Sequence, residues 1–340
     1  MTTSKKRINW VDQLKGFSII LVVYGHNLPF IDIYIDSFRI PLFFFIAGFF
    51  HPKAPSLTLS IIKKRAQQIL APYFLWSFFL FVFWFFLGRK YGDSVHLDLS
   101  VTKNFLGIFF AQGGHDYMNW GITMWFLPAI FLSFIFFGLV RSVKKMTHQV
   151  ILLLTFITIG FLITKVIDVN LVWSADVALV SLSFYSLGFY SRDFLFKNKK
   201  IKYETLLLFT LLIIYVLCAI NFSENVDMFR SKYGNIFFFI VNAVIGISFW
   251  VLFFRRLKKI KFLTFFGQNT IPVLALHNRT MTFIKLLLLV FWSSKSFNFN
   301  ELEKIILTIM QLILLCPIIL MVNKKLPILN GKRKFYEKRN

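Results

Sequence analysis

The sequence is poor in charge, and above all in negative charge. Only 16% of its 340 residues are charged, and 15 acidic residues stand against 39 lysines and arginines. A soluble chain of this length needs a polar surface around its core, and so few charged residues cannot cover one. The hydrophobic content of 57%, with 46 phenylalanines, therefore indicates that lipid surrounds much of the molecule.

Cysteine is also scarce. Cys218 and Cys316 both lie inside apolar stretches, which favours packing residues in helices over a disulfide framework or a metal site. The first apolar stretch lacks the small-residue cleavage site of a secretory signal peptide. We therefore expect that stretch to remain as the first membrane span, and we expect no metal site.

The formal charge of +24 is concentrated in short basic runs between apolar stretches. A nucleic-acid-binding chain instead interleaves lysine and arginine along a soluble face, so we expect no nucleic-acid partner. Basic runs between apolar stretches are typical of the cytosolic loops of membrane proteins. These runs are 5–7, 63–65, 197–202, 255–261 and 332–334.

The hydropathy pattern predicts an all-α integral membrane protein of about ten transmembrane helices. Most of the stretches have the roughly 17–25 residues needed to cross about 30 Å of hydrocarbon. A further apolar piece, 104–112, is too short to cross and predicts a re-entrant or interfacial segment. We expect one transmembrane domain over 1–323 and a basic cytosolic tail over 324–340. The predicted spans are 16–30, 35–50, 68–88, 123–140, 150–167, 171–190, 204–221, 234–254, 268–292 and 302–323.

Loop charge predicts the orientation of these spans. With the N-terminus in the cytosol, the inside segments contain 28 of the 39 lysines and arginines, whereas the outside loops contain about 8. The opposite orientation would invert this ratio. Both termini are therefore predicted to be cytosolic, and membrane lipids are expected partners of the basic tail.

Two histidines are predicted to lie deep in the membrane. His26 is about 16 Å along a helix from Lys15, and His277 is about 13 Å from Gln268. Both enter from the same side, so they predict a pair around one cavity. The near-neutral pKa of histidine suits general base catalysis on a hydroxyl. The alternative is that each is a packing histidine, bonded to a neighbouring carbonyl.

Three more ionisable residues inside predicted spans are candidates for an acceptor site or pore, because charge in hydrocarbon requires a partner or water. Arg39 lies near the outer face of the second span, where it can also snorkel to the headgroups. Asp176 lies about one turn into the sixth span, and either pairs with Arg39 or lines the same opening. Arg279 lies in the ninth span. Asp12 and Lys15 flank the entry to the first span, where a solvated edge is the alternative.

Several motifs occur in the order and spacing of one known family, and the chain resembles the membrane acyltransferase family 3. The matching segments extend from residue 7 to about 320, and two of them are most similar to the branch of fucose 4-O-acetylase-like proteins. The segments are Arg7-Ile8-Asn9-Trp10-Val11-Asp12-Gln13-Leu14-Lys15-Gly16 with Gly25-His26, Phe38-Arg39-Ile40-Pro41, Lys63-Lys64-Arg65 with Leu70-Ala71-Pro72-Tyr73, Trp125-Phe126-Leu127-Pro128, Asp176 with Phe184-Tyr185-Ser186-Leu187-Gly188, and Phe266-Gly267-Gln268-Asn269-Thr270 with Leu276-His277.

The resemblance implies an O-acyltransferase of the plasma membrane, without a bound cofactor, that moves an acyl group from cytosolic acyl-CoA, usually acetyl-CoA, to a hydroxyl of a sugar or glycan. His26 would be the principal catalytic residue, and we add His277 and Asp12 as catalytic candidates. Basic side chains at the inner face suit the phosphates of CoA. The donor-binding candidates are Lys15, Lys63, Lys64 and Arg65.

Two positions depart from the family pattern. Gln68 stands where a second basic-loop arginine is frequent, and Arg39 stands where the branch commonly has histidine. The acceptor class stays open among an exopolysaccharide, an O-antigen sugar, a lipid-linked sugar and a small metabolite. Two alternative functions also remain: a transporter or flippase for a glycan or small solute, and a sensor or structural partner.

Overall fold

The computed structural model of the chain describes residues 7–90, 97–167, 170–197, 202–221, 226–292 and 297–332. In these ranges the chain forms α-helices joined by turns, and strand pairing is limited to one isolated bridge between Asp227 and Lys232. The all-helical prediction is therefore confirmed. The helices are α1 (Asn9–Gly25), α2 (Asp32–Asp36), α3 (Arg39–Phe49), α4 (Leu59–Phe86), α5 (Val101–Phe110), α6 (His115–Met118), α7 (Phe126–Ser142), α8 (Met146–Leu162), α9 (Ala175–Val180), α10 (Leu182–Phe196), α11 (Glu204–Asn221), α12 (Ile236–Arg256), α13 (Lys261–Gly267), α14 (Thr270–Trp292) and α15 (Glu301–Lys325).

The described residues include seven helices long and apolar enough to cross a membrane, based on α4, α7, α8, α11, α12, α14 and α15. An eighth span results if 172–180 and α10, which are bent by 58° to one another, count as one. The protein is thus a multi-pass membrane protein. The first two predicted spans correspond to α1 and α3, which have only 17 and 11 residues. The short piece 104–112 falls on α5, a helix of 10 residues.

Several helix starts follow from the local sequence. Ser100, Asn235 and Asn300 precede α5, α12 and α15, and each side chain accepts a hydrogen bond from a backbone N–H of the first turn. At Asn300 the side chain of Glu303 also accepts from the backbone N–H of Asn300, which completes a capping box. These caps satisfy backbone donors that a helix leaves without partners.

The packing of α1 on α13 depends on two glycines. A Cβ on Gly16 would lie 1.9 Å from the Leu263 carbonyl oxygen, and one on Gly267 would lie 1.7 Å from that of Asp12. The backbones approach so closely that only hydrogen fits between them. This contact holds the first half of α1 against the segment that leads into α14, and so relates the two histidine-bearing helices.

A second glycine pair joins α3 to α10. A Cβ on Gly48 would lie 1.8 Å from the Tyr185 carbonyl oxygen, and one on Gly188 would lie 1.9 Å from that of Phe45. Such small-residue contacts are typical of helix interfaces in membranes. They bring the end of α3, and His51 beyond it, against α10.

The chain folds back after α15. The indole nitrogen of Trp76 donates to the Leu329 carbonyl at 2.8 Å, and Asn330 Nδ2 donates to Asn269 Oδ1 at 2.6 Å. Lys332 Nζ donates to Asn323 Oδ1 at 2.8 Å. The first part of the predicted basic tail therefore packs on α4 and the start of α14, and 333–340 lie outside the described residues.

Candidate active site

The two predicted histidines meet in the structure. His26 directly follows α1, His277 is on α14, and their ring centroids are 4.9 Å apart. His277 is fully buried, and its Nδ1 lies 2.9 Å from the Val273 carbonyl oxygen, one turn earlier in the same helix. This bond requires the proton on Nδ1 and leaves the Nε2 lone pair free. His26, in contrast to His277, is an exposed residue.

Arg39 lies beside this histidine pair. Its guanidinium forms an ion pair with Asp36 at 2.7 Å and donates to the Leu21 carbonyl at 3.2 Å. It is also close enough to act electrostatically on both imidazoles. A positive charge that is fixed next to an imidazole suits stabilisation of an oxyanion.

An amide network holds the two histidine-bearing helices together. Gln311 on α15 donates from Nε2 to the His277 carbonyl at 3.0 Å. The same residue accepts at Oε1 from Nδ2 of Asn27, which follows His26, at 3.0 Å. Asn27 also donates to the Thr308 hydroxyl at 2.7 Å. The contacts join the end of α1 to α14 through α15 and fix the relative position of the imidazoles.

A cavity of about 450 Å³ lies along α1 and is lined there by Lys15, Ile19 and Val22. We call the part of α1 around Lys15 the Lys15 end and its C-terminal end the His26 end. Lys15, Arg65 and Gln68 line the cavity at the Lys15 end. Val22 and Leu274, each one turn before a histidine of the pair, line it on the other side. Its remaining wall is largely apolar, so the cavity extends from a basic end to residues one turn away from each histidine.

The other residues predicted around the Lys15 end have different environments. Lys63 and Lys64 are exposed, unlike half-buried Lys15 and Arg65. Asp12 accepts a hydrogen bond from Gln268 Nε2 at 2.9 Å. It lies about 21 Å along α1 from His26, so the structure does not bring Asp12 to the histidine pair.

The chain matches the family model described as an acyltransferase domain over residues 8–323. The chain belongs to this acyltransferase family, the membrane acyltransferase family 3. Nearly the whole sequence is included in the match, from the residue before α1 to near the end of α15. Among curated proteins and among solved structures no match was found.

Asp176 and Arg279, the two remaining residues that were predicted for the site, stabilise loops in the acyltransferase. Asp176 accepts hydrogen bonds from the Ser231 hydroxyl and, at 3.2 Å, from the Leu171 backbone N–H. It therefore does not form the ion pair with Arg39 that the sequence suggested. Arg279, on α14 two residues after His277, donates to the carbonyls of Asn119 and Trp120. It ties the segment before α7 to the histidine-bearing helix.

Two residues near these sites were missed by the sequence reasoning. Gln311 is an amide within the apolar stretch 302–323, which is a signal for an interhelical bond. His51, which directly follows the second apolar stretch, is only 1% exposed and its Nδ1 lies 2.9 Å from the Tyr185 hydroxyl. Burial, together with the positive charges of Arg65, Arg141 and Arg192, lowers the pKa of His51 to about 3. The imidazole of His51 in the acyltransferase is thus neutral at physiological pH.

Proposed function

We propose that this acyltransferase moves an acyl group, acetyl by preference, from a cytosolic acyl-CoA to a hydroxyl of a sugar or cell-surface glycan, with His26 as the general base. The observation that carries the proposal is the contact between His26 and His277, whose ring centroids are 4.9 Å apart at the end of α1, the helix that also carries Lys15. An acyltransferase needs both a proton acceptor and a site for its charged donor.

The cavity supports an acyl-CoA donor. Lys15 and Arg65 provide positive charge for its phosphates, and the apolar wall suits the pantetheine arm, which is uncharged. Along α1, Lys15 and His26 are about 16 Å apart. An extended pantetheine arm is long enough to cover such a distance, so the thioester can reach the histidine pair while the nucleotide stays at the Lys15 end.

The proposed reaction is a direct transfer. His26 removes the proton from the acceptor hydroxyl as its oxygen attacks the thioester carbonyl. Arg39 stabilises the negative charge on the carbonyl oxygen. The C–S bond then breaks, the new ester leaves with the acceptor, and His26 returns the proton to the departing thiolate. His277 holds the neutral His26 ring in place, and Asp12 supports Lys15 at the donor end.

The same proposal includes ten spans with both termini in the cytosol and a location in the plasma membrane. The rise of α1 is about 26 Å, close to the thickness of the hydrocarbon core. The 11 residues of α3 are nearly all buried, so neighbouring helices rather than lipid surround this short piece. The segment that follows Arg39, with Pro41, favours the fucose 4-O-acetylase-like branch, and hence a sugar hydroxyl as acceptor, whereas Arg39 itself departs from the pattern of that branch.

The test uses the purified protein in nanodiscs with acetyl-CoA labelled in the acetyl group. The assay measures release of CoA and transfer of label to a panel of lipid-linked and polymeric glycans. We expect His26→Ala to abolish both, and His148→Ala, which removes an exposed histidine at the start of α8, to retain both. Full transfer by His26→Ala contradicts the assigned base. Solute flux without CoA release would instead indicate the transporter alternative.

A further inference from the structure

Three arginines from different helices surround the buried His51 at the Lys15 end. Arg65 is on α4, Arg141 on α7 and Arg192 on α10, and all three charges act on the His51 imidazole. Arg192 Nη1 also donates to the His51 carbonyl at 3.0 Å. Residues far apart in the sequence thus place three positive charges around one neutral ring.

Aromatic rings support two of these guanidinium groups. Arg65 lies over Phe134, with 5.8 Å from its Cζ to the ring centroid, and Arg141 lies over Phe189 at 4.9 Å. Both rings also contact His51, with centroid distances of 5.1 Å and 5.8 Å. Stacking on an aromatic face holds a guanidinium in place and leaves its edge available for hydrogen bonds.

Each member of this cluster has a buried nitrogen without a hydrogen-bond partner in the described part of the chain. The four atoms are Nε of Arg65, Arg141 and Arg192 and Nε2 of His51. Within the same described ranges none of the three arginines forms an ion pair, and the nearby Asp193 pairs with Lys53 at 2.7 Å. Buried donors without partners are costly, and repulsion between like charges adds to the cost.

We propose that Arg65, Arg141, Arg192 and His51 form a phosphate-binding cradle that holds the pyrophosphate of the acyl-CoA donor. Guanidinium groups match the oxygens of a phosphate with paired, charge-assisted hydrogen bonds. Arg65 belongs both to this cradle and to the wall of the cavity along α1. The cradle therefore places the phosphates beside the basic end of that cavity. That the cradle binds an anion is independent of the proposed function. The assignment of this anion to the acyl-CoA donor rests on the proposed function.

The neutral state of His51 fits this role. Its lowered pKa leaves one ring proton, which can be placed on Nε2 as a donor if the Tyr185 hydroxyl donates to Nδ1. The imidazole then contributes a hydrogen bond to the anion without a fourth positive charge.

The test measures binding of three probes to the full-length protein in nanodiscs of neutral lipid: CoA, inorganic pyrophosphate and pantetheine, which lacks the phosphates of CoA. The variants are Arg141→Gln and Arg192→Gln. A matched variant is Arg256→Gln, because Arg256 ends α12 and already has Glu204 as a partner at 3.6 Å. Thermal unfolding of each variant checks that it is folded. Where a glutamine variant is not folded, the lysine variant at the same position, Arg141→Lys or Arg192→Lys, replaces it.

We expect each glutamine variant to lose about tenfold or more in affinity for CoA and pyrophosphate, with pantetheine binding unchanged. Arg256→Gln should bind all three probes as the wild type does. If the wild type binds pyrophosphate but not CoA, the phosphate-binding cradle is supported and the proposal of an acyl-CoA donor is contradicted. Wild-type affinity for pyrophosphate in folded variants, or no pyrophosphate binding at all, overturns the cradle. A second series with anionic lipid distinguishes a headgroup ligand, which would compete with pyrophosphate.

Discussion

Gly25 lies directly against the guanidinium of Arg39: a Cβ built on Gly25 would lie 1.3 Å from Arg39 Nη1. The residue before His26 is thus a glycine because the arginine needs that space. The contact joins the end of α1 to the start of α3. It also explains how a charged side chain at the edge of α3 comes to lie beside the histidine pair.

Replacement of Gly25 should impair the reaction through Arg39. We expect Gly25→Ala to displace the guanidinium and lower kcat by about tenfold or more, because a fixed charge at the reacting centre is a large part of such catalysis. Arg39→Ala should show a similar loss. The double variant should lose no more than the worse single variant, since both changes remove one interaction. Additive losses in kcat would show that Gly25 acts independently of Arg39.

Gln311 should position His277 rather than take part in the chemistry. We expect Gln311→Leu to lower kcat and leave the KM for acetyl-CoA nearly unchanged, because the cavity residues that would contact the donor are not altered. Met310→Leu, an exposed neighbour on the same helix, serves for comparison. Equal kcat values for Gln311→Leu and Met310→Leu would show that Gln311 does not position His277.

The basic residues in and near the cavity along α1 should differ in their effect on the KM for acetyl-CoA. Lys15→Gln should raise the KM for acetyl-CoA at all ionic strengths, because Lys15 lines the cavity. The double variant Lys63→Gln/Lys64→Gln changes exposed charges, so its effect should be small and disappear at high salt. Steady-state kinetics at low and high salt measure both. A salt-independent effect of the double variant would instead give Lys63 and Lys64 direct contact with the donor.

The buried His51 should make stability depend on pH. In the unfolded chain its imidazole titrates near the ordinary pKa of 6.5, whereas in the folded protein that pKa is about 3. As the pH falls from 6.5 toward 3, the unfolded state binds a proton that the folded state cannot, so the free energy of unfolding decreases. Thermal unfolding in detergent across this range should show a smaller decrease for His51→Gln than for the wild type. Parallel curves would contradict this contribution.

The glycine contact between α3 and α10 should be sensitive to a single methyl group. In an open helix, Gly→Ala usually stabilises. At Gly188 it should instead destabilise by about 1–3 kcal/mol, because the new Cβ meets the backbone of Phe45. Chemical unfolding in detergent measures the change. Gly88→Ala is the matched variant, since its Cβ would have only an ordinary contact of 3.4 Å with Trp84.

Much of the fold and part of the site follow from local features of the sequence. Long apolar stretches require helices in lipid, because each backbone group must find its partner within the segment. The rise per residue then determines depth, which is why His26 and His277 could be predicted at the same level. The bounds of α1 and α3, Asn9–Gly25 and Arg39–Phe49 against the predicted 16–30 and 35–50, could not be obtained in this way, because hydropathy does not distinguish a buried helix from one that faces lipid.

The sequence by itself determined that this is a helical membrane protein of the acyltransferase family and that His26 and His277 lie at the same level. Only the tertiary structure decided which faces of the helices meet. The contact of Gly25 with Arg39, the amide bond of Gln311 to the His277 carbonyl and the three arginines around His51 all join segments distant in the chain. Periodicity gives the face of each helix but not its neighbour, because the choice of neighbour depends on close packing between whole helices.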